Sequence, residues 1–184
     1  IKFDKIITSK GLEGKNMEWI TKNIKDIVTE ISEGNYVLPV IQRDFVWPEE
    51  KIELLFDSVL KEHCFGSIIA IEEPEGNSPL FAFRKFVQDG QDQSKSNPTS
   101  LTTSLEKRQF FVIDGQQRLQ AFYIGLKGSI GERTLFFDLF SDSQDEYEFD
   151  FAEDKALLPA KTDDDRPIKE CLWYKVFDLY KELL

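Results

Sequence analysis

Apolar positions along the chain follow two periods, and the changes between them mark the elements. Ile20, Ile24, Ile27, Val28 and Ile31 recur at helical spacing, which predicts a helix over Met17–Ile31 with Asn16 as its N-cap and Gly34 just past its end. A short apolar run predicts a strand over Tyr36–Val40. Pro48–Leu60 then reads as a helix, with Pro48 at its first position, Glu49 and Glu50 in its first turn, and Ile52, Leu55, Phe56, Val59 and Leu60 on one face. Ser67–Ile71 is expected as a buried strand and Leu80–Val87 as another. Gln88–Lys107, rich in Gln, Ser, Thr, Asn and Asp, is expected as a loop or insertion. Phe110–Ile113 reads as a strand and Gln116–Leu126 as a helix, since Leu119, Phe122, Tyr123 and Leu126 share a face. Thr134–Phe140 and Glu146–Phe151 alternate as a hairpin would, and Ile168–Leu184 places Trp173, Val176, Phe177 and Tyr180 in helical register. The order predicts an α+β fold, a small mixed sheet with flanking helices.

The junction at Asp114-Gly115-Gln116-Gln117-Arg118 carries the most chemistry. A strand that turns at a glycine into a helix leaves the first backbone N–H groups of that helix without intrahelical partners, at the positive end of its dipole. A phosphate suits such a place. Gln116, Gln117 and Arg118 fall in the first helical turn, where they offer two amides and a guanidinium with the fork geometry suited to phosphate. Asp114 could hold a Mg²⁺ or orient a water. Ordinary capping chemistry accounts for the same residues, since Asp before Gly caps helices and Gln and Arg are good exposed helix formers. A second amide and guanidinium pair weighs for the functional reading: Gln42 and Arg43 follow an apolar run and precede the Pro48 helix. Both pairs stand at strand exits, and we expect them to converge on one cleft. Gln88-Asp89-Gly90-Gln91 repeats part of the second box, but no Arg and no apolar helical spacing follow it, and it reads as loop.

These two boxes resemble the N-terminal domain of GmrSD-type restriction proteins, within the wider ParB and sulfiredoxin-like superfamily. Pro39, Gln42, Arg43 and Trp47 match the first motif, the Phe65-Gly66-Ser67-Ile68-Ile69 strand follows the intervening helix, and Asp114–Arg118 match the second. The resemblance covers residues 15–130 well and the remainder loosely. It implies a ParB/sulfiredoxin-like core that binds and hydrolyses nucleotide triphosphate, in a protein that restricts modified or foreign DNA with an HNH-type nuclease domain or subunit as its partner. On that basis Gln42, Arg43, Gly115, Gln116 and Arg118 are candidates for nucleotide binding, Asp114, Gln117 and Arg118 for catalysis, and Asp114 for Mg²⁺. Sulfiredoxin chemistry is disfavoured: the frame Gly115, Arg118 and Ala121 survives, but Gln occupies both positions between Gly115 and Arg118 and the catalytic cysteine is missing. No Walker A sequence is present, so the mechanism is not that of a P-loop enzyme.

Composition narrows the function further. The chain of 184 residues, 41% hydrophobic with sixteen Phe, is long enough for a sizeable core. We expect a nucleotide-binding domain over residues 1–140 and a C-terminal hairpin and helix over 141–184. Ile1 in place of Met, and an end inside a helical pattern, lead us to expect a piece of a longer protein. No apolar run approaches the roughly 20 residues needed to cross a bilayer, and we expect a cytoplasmic protein. Cys64 and Cys171 are expected as buried thiols, not a bridge. His63 is the only histidine and suits the end of the preceding helix, where the dipole favours it. An HNH site needs several His and Asn ligands, so this chain is not itself the nuclease. The net charge of −11 opposes wholesale DNA binding, while Arg43, Lys61, Arg84, Lys107, Arg108 and Arg118 leave room for a local basic cleft ahead of the acid-rich last third. Asp163-Asp164-Asp165 reads as a solvated loop. The rival from another class is a non-catalytic sensor of nucleotide or of a modified nucleotide in DNA, with Phe45, Trp47 and Phe65 stacking on a base. Core packing accounts for these aromatics equally well.

Overall fold

The apolar run Phe110–Ile113 becomes an inner strand of the larger sheet. In the computed structural model, which describes residues 20–41, 44–91, 103–142, 146–160 and 170–182, β4 (Gln109–Asp114) is flanked by β1 (Tyr36–Pro39) in parallel and β2 (Ile69–Glu73) antiparallel, and β3 (Phe83–Arg84) pairs antiparallel with β1. The order β2-β4-β1-β3 makes a mixed four-stranded sheet. Strands buried along their whole length need no alternation of apolar and polar residues, and Tyr36–Pro39 is buried at every position. Val37, Phe83, Leu105 and Phe111 form one core cluster, and Phe83 meets Phe111 edge to face at 5.4 Å. Helix α1 (Ile24–Ser32) buries Ile24, Ile27, Val28 and Ile31 as its spacing predicts.

The chain divides into two compact units. The first comprises residues 1–46, 66–87 and 92–123, with this sheet and α1; the second comprises residues 47–65, 88–91 and 124–184. The second unit contains α2 (Glu49–Leu60), an antiparallel sheet in the order β6-β5-β7 (β5 Thr134–Asp138, β6 Phe149–Ala152, β7 Trp173–Lys175) and α4 (Val176–Glu182). Helix α3 (Gln116–Lys127) begins in the first unit, and its last residues belong to the second. In the second unit, Phe56 of α2 packs on Phe149 of β6 at 5.6 Å, and Asp57 accepts a hydrogen bond from the Tyr147 N–H at 3.0 Å. The architecture is α+β, as the element order predicts.

Several boundaries differ from the sequence reading. Helix α1 begins at Ile24, because Asn23 is extended and serves as its N-cap; Lys22, just before it, pairs with Glu30 at 2.7 Å. Residues 16–19 lie outside the described residues. Pro48 is the N-cap of α2, not its first helical residue. β2 starts at Ile69, not Ser67, because a register shift between Ile69 and Ala70 ends the pairing opposite Asp114. Of Leu80–Val87 only Phe83–Arg84 forms a ladder. The C-terminal helix starts at Val176, because Trp173–Lys175 pair with the edge of β5 and become a strand. Ladder bonds to an available edge outweigh a helical spacing that is equally satisfied by a shorter helix. Cys64 and Cys171 are both free, and Cys64 is exposed where a buried thiol was expected. His63 follows α2 as expected, its N–H donating to the Ser58 carbonyl at 2.8 Å.

Candidate functional site

Both sides of the strand exit are built around glycines. Gly115 has a φ of +82°, and a Cβ there would collide with Ile68 Cδ1 and lie 3.2 Å from the Ser67 carbonyl oxygen. Its own carbonyl accepts the first intrahelical bond, from the Leu119 N–H at 3.0 Å, so the turn from β4 into α3 takes one residue. Only glycine combines this backbone with this proximity. Asp114 ends β4 with its side chain 60% exposed, and one turn further on Arg118 Nη2 donates to Asp114 Oδ2 at 3.1 Å with 20% of the Arg118 side chain exposed.

Gly66 completes the cradle. It has a φ of +92°, and a Cβ there would run into Arg118 Nη1 and stand 3.3 Å from Cζ. The guanidinium therefore rests between the carboxylate of Asp114 and a backbone position where any side chain would be strained and would displace it. Gly66 is a site residue that the sequence reading missed. Its signal was a glycine immediately before a buried strand, where an added side chain has little to gain.

The two glutamines of the second box play different parts. Gln116 is 6% exposed, and its Nε2 donates to the Val112 carbonyl at 2.6 Å, which commits that amide nitrogen to the backbone of β4. Gln117 reaches outward from α3: its Nε2 donates to the Asp44 carbonyl at 3.0 Å and its Oε1 accepts from the Val46 N–H at 3.1 Å. Both halves of one side-chain amide thus bind the main chain that follows the first box. Asp44 also pairs through its carboxylate with Arg84 of β3, and burial pushes the Arg84 guanidinium below its ordinary value. Gln42 and Arg43 themselves lie outside the described residues. Their chain neighbour Asp44 is held by Gln117, one residue before Arg118 in α3.

A third glutamine on this helix is structural. Gln120, 3% exposed, donates to the Val87 carbonyl at 2.6 Å and accepts from the Val87 N–H at 3.1 Å, fastening the segment after β3 as a ladder strand would. A Gln among apolar helix positions was its signal in the sequence. Of the aromatics offered as base platforms, Phe45 is 8% exposed and belongs to the core of the first unit. In the second unit, Lys51 Nζ covers the Trp47 ring at 4.4 Å.

Among the described residues no three His, Cys, Asp or Glu gather at one point. Asp114 as a single exposed carboxylate fits a Mg²⁺ that arrives bound to phosphates and keeps most of its water, the usual mode for that ion, and does not fit a cation held by protein alone. No helix among the described residues is long and apolar enough to cross a membrane.

Comparison with known proteins places this geometry in context. The family described as "GmrSD restriction endonuclease, N-terminal domain" matches residues 24–182. An uncharacterized protein of Methanocaldococcus jannaschii is 32% identical over 152 residues, a match that covers 75% of this chain and 25% of that protein. The matched region thus spans about a quarter of the length of its curated relative.

Proposed function

This chain belongs to the GmrSD restriction endonuclease N-terminal domain family, and from that premise we propose that it is the nucleotide-binding and nucleotide-hydrolysing regulatory module of a restriction or phage-defence protein. The observation that carries the reading is the seating of Arg118: a guanidinium is held at a strand exit by two left-handed glycines and a carboxylate, beside the N-terminus of α3. A structural ion pair on a helix surface does not need a glycine cradle, and a cradle that fixes the guanidinium suits the preorganised positioning that phosphate chemistry uses.

In this reading the backbone N–H groups at the start of α3 and the Arg118 guanidinium receive the phosphates, with Gln42 and Arg43 contributing from the first box. Gln117 is a positioning residue that binds the chain leaving that box through Asp44 and Val46, in addition to the water-orienting role expected for it. Gln116 stiffens the turn through Val112. Asp114 would hold a Mg²⁺, which supplies charge neutralisation on the phosphates when bound, and it orients Arg118 in the meantime. The catalytic demand is positioning and electrostatics, with no covalent intermediate. The nuclease that this module controls, an HNH-type domain or subunit acting on modified DNA, is carried elsewhere in the protein or by a partner.

The test is phosphate release from each of the four NTPs with Mg²⁺, alongside nucleotide binding, for the wild-type chain and Arg118→Ala. A charge-assisted hydrogen bond is worth roughly 1.5–3 kcal/mol, so the variant is expected to bind about 10- to 150-fold more weakly and to release no phosphate. Binding without turnover by the wild type would favour the sensor reading. Unchanged binding by Arg118→Ala would reject the site.

A further inference from the structure

Strand β3 has two residues, and the chain on either side of the first box is fastened to it. Where β1 runs out, the Val40 N–H donates to the carbonyl of Ala82, the residue before β3, at 2.8 Å. Beyond the box, the Asp44 carboxylate accepts from Nη1 of Arg84, the last residue of β3. The same stretch is gripped from the other side by α3, since Gln117 donates to the Asp44 carbonyl at 3.0 Å and accepts from the Val46 N–H at 3.1 Å. All of these residues belong to the first unit.

Burial of its own side chains does not fix this stretch. Ile41 is 71% exposed, Val46 55% and Val40 40%, and among the described residues from 40 to 46 only Phe45 is buried. A segment that leaves three β-branched apolar side chains in water gains little from the hydrophobic effect, so its course is set by polar bonds around one aromatic anchor. Arg84 is suited to supply such a bond. Its side chain is 11% exposed, which limits the positions open to it, and its planar fork meets a carboxylate that is half exposed. A guanidinium withdrawn this far from water needs a charged or carbonyl partner. That need ties Asp44 to the backbone of β3.

We infer that Arg84 and Asp44 are positioning residues of the strand-exit site: they hold the chain that leaves the first box against the first turn of α3, where Gln117 binds it. The order of action is Arg84 on the Asp44 carboxylate, Asp44 on the main chain as far as Val46, and that main chain on Gln117, the residue before Arg118. Neither Arg84 nor Asp44 meets the phosphates. Ordering this stretch during folding removes that cost from ligand binding. The effect on nucleotide rests on the function proposed above, whereas the clamp is a property of the free chain and is measurable without nucleotide.

The experiment measures amide exchange of the free chain, and binding of each of the four NTPs with Mg²⁺, for the wild type, Arg84→Gln, Asp44→Asn, Asp44→Glu and the double variant Asp44→Asn/Gln117→Ala. Asp44→Asn keeps the shape of a half-exposed side chain and leaves the core untouched, so it reads the clamp even where loss of the buried Arg84 harms folding. Arg84→Gln and Asp44→Asn are each expected to quicken exchange at Val46, and to weaken nucleotide binding, by about three- to tenfold, the order of one net hydrogen bond. Exchange at Leu119, whose N–H bonds within α3, should not change. Asp44→Glu keeps the carboxylate and should stay near the wild type. In the Gln117→Ala background Asp44→Asn should cost no further affinity, because the route from Asp44 to the site is already cut; a residue that only stabilises the fold would not show this coupling. Arg108→Gln is the control, since it removes an arginine paired with Glu72 just before the start of β4, at the far end from Asp114, and should bind as the wild type does. Unchanged exchange at Val46 in both single variants would overturn the clamp whether or not nucleotide binds. Faster exchange with unchanged affinity, or affinity losses that add with Gln117→Ala, would overturn the positioning role. Failure of the wild type to bind any NTP would overturn the nucleotide reading alone, and the exchange comparison would still decide the clamp.

Discussion

Replacing Gly66 by alanine tests whether the arginine cradle exists for the sake of Arg118. The substitution imposes two penalties that can be separated. A residue with a Cβ at φ +92° is strained whatever surrounds it, at roughly 1–2 kcal/mol. In addition, the new methyl group would occupy the space of Arg118 Nη1, so the guanidinium has to leave Gly66 and with it the geometry that holds Asp114 at 3.1 Å. Gly76 provides the control, because its φ of +83° is similar and a Cβ there meets nothing within 4 Å. For a domain of this size 1–2 kcal/mol corresponds to a fall in melting temperature of roughly 2–8 °C. Gly76→Ala is expected to show that fall and to bind nucleotide like the wild type. Gly66→Ala should show a larger fall, because the new methyl group also strikes Arg118, and lose nucleotide affinity as far as Arg118→Ala does. In the double variant Gly66→Ala/Arg118→Ala the stability penalty of Gly66→Ala should shrink to that of Gly76→Ala, since the side chain it strikes is gone, and the two affinity losses should not add. Full nucleotide binding by Gly66→Ala would refute the cradle. Additive affinity losses in the double variant would show that the two positions act independently.

Three further expectations concern other parts of the molecule. Gln117→Ala removes both bonds to the Asp44–Val46 main chain while leaving Arg118 in place, so nucleotide affinity should fall by less than in Arg118→Ala, and amide exchange at Val46 should quicken. Burial, then the neighbouring charges of Asp150, Glu50 and Glu49, push the Glu53 carboxyl from 4.5 up to about 7, while Arg133 compensates Glu49 at 2.7 Å. A raised carboxyl favours the folded state fully below about pH 4.5 and loses that contribution as pH rises through 7. After discounting for solvent screening, Glu53→Gln should therefore be more stable than the wild type by about 1–2 kcal/mol at pH 8 and equal to it near pH 4.5, as read by urea denaturation. A constant difference across that range would contradict the assignment. With a single His and a net charge of −11, the chain alone should not cut unmodified, hydroxymethylated or glucosylated DNA with Mg²⁺ and NTP, and any DNA affinity should fall steeply with salt. Cleavage by a longer protein continuing past Leu184, and not by this chain, is the outcome that supports a regulatory role.

The amino-acid sequence by itself determined the elements whose pattern is strong and whose ends are chemically marked. Helix α2 is legible from Pro48, its acidic first turn and its apolar face, and the β4–Gly115–α3 junction from an apolar run that stops at Asp-Gly. These are local properties: a helix face is fixed by spacing along one segment, and a left-handed glycine by the turn it serves. Only the tertiary structure decided that Trp173–Lys175 become a strand, because their choice depends on a free edge of β5 far away in the chain. It also decided the roles of three similar glutamines on one helix. Gln116, Gln117 and Gln120 are chemically identical, and their bonds to Val112, to Asp44 and Val46, and to Val87 follow from which main chain passes within reach. Gly66 shows the same limit: nothing within its own segment reveals that the guanidinium of Arg118, fifty-two positions later in the sequence, would fill the space of its missing side chain. Spacing along a chain specifies faces and turns, whereas the partner of a polar group is set by packing between segments that the sequence keeps apart.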